Sequence, residues 1–89
     1  MILEIEIHSV EMRNSVFLTK NLPADMVIAP HAGDVLAFDG YQEIVKHTRY
    51  ILVGVSSCAV VVCETRNVPS KDFEHTLREY NMRGWRVPR

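Results

Sequence analysis

The chain has few of the residues from which catalytic and metal centres are assembled. It holds two cysteines, four glycines, four prolines and one tryptophan in 89 residues. Cys58 and Cys63 do not form a Cys-x-x-Cys pair, and none of His8, His31, His47 and His75 stands near another ligand at a zinc spacing. No glycine-rich phosphate loop is present, and Ser56 and Ser57 lack the pattern of a nucleophile elbow. The reading therefore assigns no catalytic residue, no metal and no cofactor. No apolar run approaches the roughly 20 residues that cross a membrane. The first residues alternate apolar side chains with Glu4 and Glu6 and carry no basic leader, which reads as a strand and not as a signal peptide. A net charge of -1 argues against a protein whose main task is to grip phosphates.

The scarcity of cysteine is itself informative. In an extended run the alpha carbons of Cys58 and Cys63 lie roughly 16 Å apart at about 3.3 Å per residue, with side chains on opposite faces. A disulfide needs them within about 7 Å. Two unpaired thiols are expected, packed as small apolar side chains in a reducing, cytoplasmic setting.

What is present is strand pattern followed by one helix. Leu3, Ile5 and Ile7 alternate with Glu4, Glu6 and His8, giving a strand with one dry face. The apolar set then shifts to Val10 and Met12, so a bulge or strong coil near Ser9 is expected. A turn at Arg13-Asn14 and a strand over 15–20 complete an antiparallel hairpin. Asp39-Gly40 predicts a two-residue hairpin turn between 35–38 and a strand from Tyr41 onward. Residues 43–53 are rich in Ile, Val, Thr and Tyr without clean alternation, 54–57 read as a turn, and 58–64 as a strand buried on both sides.

The helix is predicted over 70–83, with Ser70 as N-cap, Asp72 and Glu74 in the first turn and Gly84 as a left-handed C-cap. Phe73, Leu77 and Tyr80 share its inner face, and Trp85 folds back to extend that patch. Glu74 with Arg78 and Glu79 with Arg83 are expected as surface pairs; His75 and Glu79 have the same four-residue spacing. The expected fold is α+β in a single domain over 1–89: a small antiparallel β-barrel or strongly twisted sheet of about five strands, closed by one C-terminal helix.

The segment 21–34, with Pro23, Pro30 and Gly33, reads as a long loop, and long structured loops often carry function. Met26, Val27 and Ile28 within it, with Arg83 and Arg86, form the candidate interaction surface. His31, Asp34, Tyr80 and Trp85 form the candidate ligand-binding set, in a pocket between the loop and the helix. His31 to Asp34 also reads as turn structure without chemistry. Arg78, Arg83, Arg86 and Arg89, beside Tyr80 and Trp85, offer a weaker nucleic-acid surface.

The opening hairpin, the loop from Leu22-Pro23 to Gly33-Asp34, two further strand pairs and a helix ending in Gly84-Trp85 resemble the layout of small uncharacterised bacterial proteins carried on mobile integron gene cassettes. Asn21 and Asp25 depart from that layout. The resemblance implies a compact, soluble, often oligomeric protein with an adaptive or binding role and no catalytic centre to carry over. The leading expectation is a non-enzymatic binding or protein-interaction module that forms homo-oligomers. The alternatives are a small-molecule-binding protein or minor enzyme and a weak nucleic-acid binder.

Overall fold

In the computed structural model the described residues are 1–22, 30–38 and 40–88. Met26, Val27 and Ile28, the Asp39 half of the expected Asp39-Gly40 turn, and Arg89 lie outside them. Six strands precede the helix: β1 (Ile2–Ser9), β2 (Asn14–Asn21), β3 (Val35–Phe38), β4 (Tyr41–Val53), β5 (Ser56–Cys63) and β6 (Arg66–Val68). A short 3-10 turn, Ser70–Asp72, leads into α1 (Phe73–Met82). The five main strands lie in the order β2-β1-β5-β4-β3 and curl into a half-barrel, with β6 added beside β1.

The sheet is mixed, where a wholly antiparallel one is expected from the sequence. The neighbouring pairs β1–β2, β3–β4 and β4–β5 are antiparallel as hairpins dictate. The inner strand β1, however, pairs in parallel with β5 at Leu3↔Val61 and then with β6 at His8↔Asn67. The three hairpin strands between them act as the crossover that a parallel pair requires. Central placement also explains the near-continuous apolar run of β5, in which the adjacent Val60 and Val61 are both buried.

No bulge forms at Ser9. Ser9 continues the inward set of Leu3, Ile5 and Ile7, and its hydroxyl bonds the Ser70 hydroxyl at 2.6 Å. The strand ends there, and Val10 and Met12 stand exposed in the turn that Arg13 closes at φ 51°. The irregularity lies instead in β4, between Val45 and His47.

One concave face holds the core: Leu3, Ile5, Ile7, Leu18, Val45, Val61, Cys63 and Val68 from the sheet, under Phe73, Leu77, Tyr80 and Trp85. The helix face is the predicted one, and Trp85 does fold back, 1% exposed, after Gly84 turns at φ 91°. The helix start differs from expectation. Ser70 makes no side-chain cap; its backbone N–H donates to the Glu11 carboxylate at 2.7 Å, and its hydroxyl serves Ser9 and the Met12 N–H. The cap is thus supplied by the β1–β2 turn, which fastens the helix to the sheet. On the outer face Glu79 sits 3.0 Å from His75. At the far end Lys20 donates to the Arg83 carbonyl at 2.6 Å, and Arg86 bridges to Thr19 on the edge of β2.

Candidate interaction surface

β4 runs for 13 residues, whereas its outer neighbour β3 has four. β3 covers only Tyr41 to Ile44. Past it, Val45 exchanges backbone hydrogen bonds with Gly33 and Asp34, and Thr48 donates its hydroxyl to the Pro30 carbonyl at 2.6 Å. On the other side β1 pairs with β5 only from Val60 to Val62. Among the described residues, 49–53 of β4 and 56–59 of β5 therefore have no strand partner but each other. They form a two-stranded arm extending beyond the sheet. The radius of gyration, 13.7 Å, exceeds the value of about 12 Å for a compact chain of this length.

The arm is closed by Gly54 and Val55, with Val53 paired to Ser56. Gly54 at φ 60°, followed by a residue without positive φ, gives the type II′ turn that suits two-residue hairpins. Its side chains are large, apolar and wet: Tyr50, Leu52 and Val53 are 63%, 75% and 70% exposed, and Val55 is fully so. Tyr50 and Leu52 lie on one face of the ribbon, Ile51 and Val53 on the other. No Asp, Glu, Lys, Arg or His occurs from Tyr50 to Cys63. At its base Arg49 pairs with Glu4 of β1 at 3.3 Å. Two-stranded hairpins are marginal in water, and contiguous exposed apolar patches mark interaction sites.

A second cluster lies where the helix C-terminus meets β4. The Glu43 carboxylate, 4% exposed, accepts from the Tyr80 hydroxyl at 2.5 Å and from Arg66 at 3.1 Å. Trp85 donates its indole N–H to the Tyr41 hydroxyl at 2.7 Å, Tyr80 meets the rings of Tyr41 and Trp85 edge-on, and Phe38 stacks on Tyr41. Arg83 lies 4.5 Å over the Tyr41 ring. Burial first, and then the Glu43 carboxylate, push the Tyr80 hydroxyl well above its ordinary pKa. Burial works against the charge of Arg66, but its bond to Glu43 and the neighbouring Tyr80 outweigh it and hold the guanidinium above its ordinary value. Two clefts meet at Arg66: one of about 330 Å³ beside Glu43, Glu64 and Thr65, and one of about 600 Å³ beside Phe38 and Tyr41. Both Glu43 oxygens are already occupied, and no described buried side-chain nitrogen or oxygen lacks a partner. The cluster is arranged to hold the helix on the sheet.

The sequence-predicted site residues are distributed over three places. His31 and Asp34 share a tight exposed turn, the His31 N–H donating to the Asp34 carboxylate at 2.8 Å. Tyr80 and Trp85 are together in the core. Neither pair lines the clefts at Arg66. Arg83 and Arg86 flank the exit of the helix, and Met26 to Ile28 are outside the described residues. Among the described residues no group of three His, Cys, Asp or Glu is placed to hold a metal. No described helix is long and apolar enough to cross a membrane. Sequence reasoning missed the arm and the Glu43–Arg66–Tyr80 link. The arm's one signal was the loss of alternation in 43–53, the mark of a strand whose two faces are alike. In comparisons with known proteins the chain matches no family model, no curated protein and no solved structure.

Proposed function

We propose that the protein is a non-enzymatic interaction module that engages a protein partner through the β4–β5 arm. The observation that carries this reading is the projecting, uncharged ribbon with Tyr50, Leu52, Val53 and Val55 exposed on both faces and at the tip. Burial of such a ribbon against a partner gains the apolar transfer energy, roughly 1.5–3 kcal/mol for each large side chain taken fully out of solvent, which offsets the cost of association and side-chain ordering. The Glu43 cluster supports the non-enzymatic part, since its buried carboxylate is engaged at one oxygen by Tyr80 and at the other by Arg66 in holding the helix on the sheet. Two free thiols support a reducing, cytoplasmic setting, and a binding role is also what the resemblance to integron-cassette proteins implies.

A photo-activated cross-linking residue placed at Val55 tests the reading in cells that make the full chain. Covalent protein adducts should form at position 55 and disappear when Leu52→Lys is added. Absence of any protein adduct at position 55, with adducts forming instead from position 42 beside Arg66, would transfer the binding role to the clefts.

A further inference from the structure

We infer that the partner of the arm is a second copy of this chain, joined edge to edge through β4 about a two-fold axis at Ile51. The inference rests on the interaction reading above and names its occupant. Of the two strands of the arm, β4 is the edge with large side chains, since the arm portion of β5 carries only Ser56, Ser57, Cys58 and Ala59. The geometry also selects the register. The two-residue turn makes Val53/Ser56 a pair that exchanges both backbone hydrogen bonds inside the hairpin. Alternation along the ladder then turns the N–H and C=O of Leu52 and Tyr50 outward, away from β5. An antiparallel copy can meet these groups only if residues of even number face residues of even number. Centring on Ile51 pairs Tyr50 of each copy with Leu52 of the other and leaves neither outward residue of the arm unpaired.

Three further features suit a second copy. Two arms joined this way make a four-stranded sheet out of two marginal ribbons, which crosses the threshold for stable sheet in water. A two-fold contact must be self-complementary, and this one is free of like-charge conflict: Arg49 faces Val53 of the other copy, and Lys46 falls beside its turn. The exposed side chains of Tyr50, Ile51, Leu52 and Val53 from both copies flank the seam and supply it with apolar surface on both faces of the joined sheet.

Sedimentation equilibrium of the full chain over about a hundredfold range of concentration should show a monomer–dimer equilibrium and no larger species. Tyr50→Lys with Leu52→Lys, and separately Tyr50→Glu with Leu52→Glu, should each raise the dimer dissociation constant at least about a hundredfold by opposing like charges across the contact. Near-ultraviolet dichroism of the single, buried Trp85 checks that each variant keeps its core. Mixing the two variants should restore a dimer containing one of each, because position 50 then meets position 52 with opposite charge. A wild-type chain that stays monomeric, growth into open-ended oligomers, or a mixture that stays monomeric would each overturn the inference. A monomeric chain that still yields adducts with another protein at position 55 would overturn it while leaving the interaction reading standing, whereas the lack of any adduct removes both.

Discussion

Glu43 is a carboxylate almost removed from water, and what makes its burial tolerable is that each oxygen meets a donor. Removing it strands the Tyr80 hydroxyl in the core and leaves Arg66 without its counter-charge. Glu43→Ala should therefore cost about 2–4 kcal/mol in urea unfolding, and Glu43→Gln, whose amide oxygen still accepts from Tyr80, clearly less. Equal losses for the two would show that packing, not the hydrogen bond, sets the cost. Cys63 lies beside this carboxylate. Burial first, and then the charge of Glu43, raise its thiol from 9.0 to about 12. A thiol raised in the folded state favours folding fully below its unfolded value and loses that contribution as pH climbs through the folded one. Unfolding free energy should start to fall above pH 9.0 and continue toward about 12. Cys63→Ala should flatten that slope in a pH series of urea titrations, part of it remaining because Tyr80 is raised as well. A slope unchanged by the substitution would assign the alkaline loss wholly to other groups.

At the scale of the element, the helix is held at three points: its inner face, its start and its exit. Leu77 is 2% exposed against the sheet, and Leu77→Ala should cost about 2–5 kcal/mol. Its counterpart on the arm, Leu52→Ala, should change the unfolding free energy of the isolated monomer by no more than about 0.5 kcal/mol. The contrast separates core from interaction surface in one chemical-denaturation experiment. The helix start depends on Glu11, whose carboxyl is held below its ordinary value by the backbone N–H of Ser70 and then by the Ser70 hydroxyl. A carboxyl depressed in the folded state contributes stability above its ordinary range and loses it as pH falls through the folded value. Thermal unfolding should shift downward on acidification below the ordinary value of 4.5, and Glu11→Gln should lessen that shift. Part of the shift persists, because the Ser15 hydroxyl foremost among several groups holds Glu6 low too. An acid profile identical in Glu11→Gln would mean that the carboxylate does not fasten the helix to the turn.

The whole molecule divides into a closed core and an arm that the core does not support. In the proposed dimer, burial of the arm against a second copy would couple folding to association, so the unfolding temperature of the wild-type chain should rise with protein concentration. The Tyr50→Lys, Leu52→Lys variant should unfold at a temperature independent of concentration. Differential scanning calorimetry on both proteins at matched concentrations measures this, and a concentration-independent wild type would contradict the coupling. The elongation belongs to this scale as well: residues from both ends of the chain build the core, while its middle, from Arg49 to Ser57, projects from it.

The sequence by itself determined the local items. Alternation in 2–7 fixed the inward face of β1, the spacing of Phe73, Leu77 and Tyr80 fixed the buried face of α1, and Gly84 fixed where the helix stops and lets Trp85 return. These are legible because each depends on a period or a backbone angle set within a few residues. Only the tertiary structure decided what depends on distant partners. The parallel pairing of β1 with β5 joins strands more than 50 residues apart in the chain, and their apolar runs are compatible with either direction. Ser70 looked like a helix cap and became a link to Ser9 and Glu11, because the β1–β2 turn comes within hydrogen-bond reach of it. Glu43 read as one polar residue of a strand and proved to be the buried acceptor for Tyr80 and Arg66. The arm followed the same logic: whether Tyr50 to Val53 were covered depended on the lengths of β3 and β1 beside them, and those strands end before they reach it.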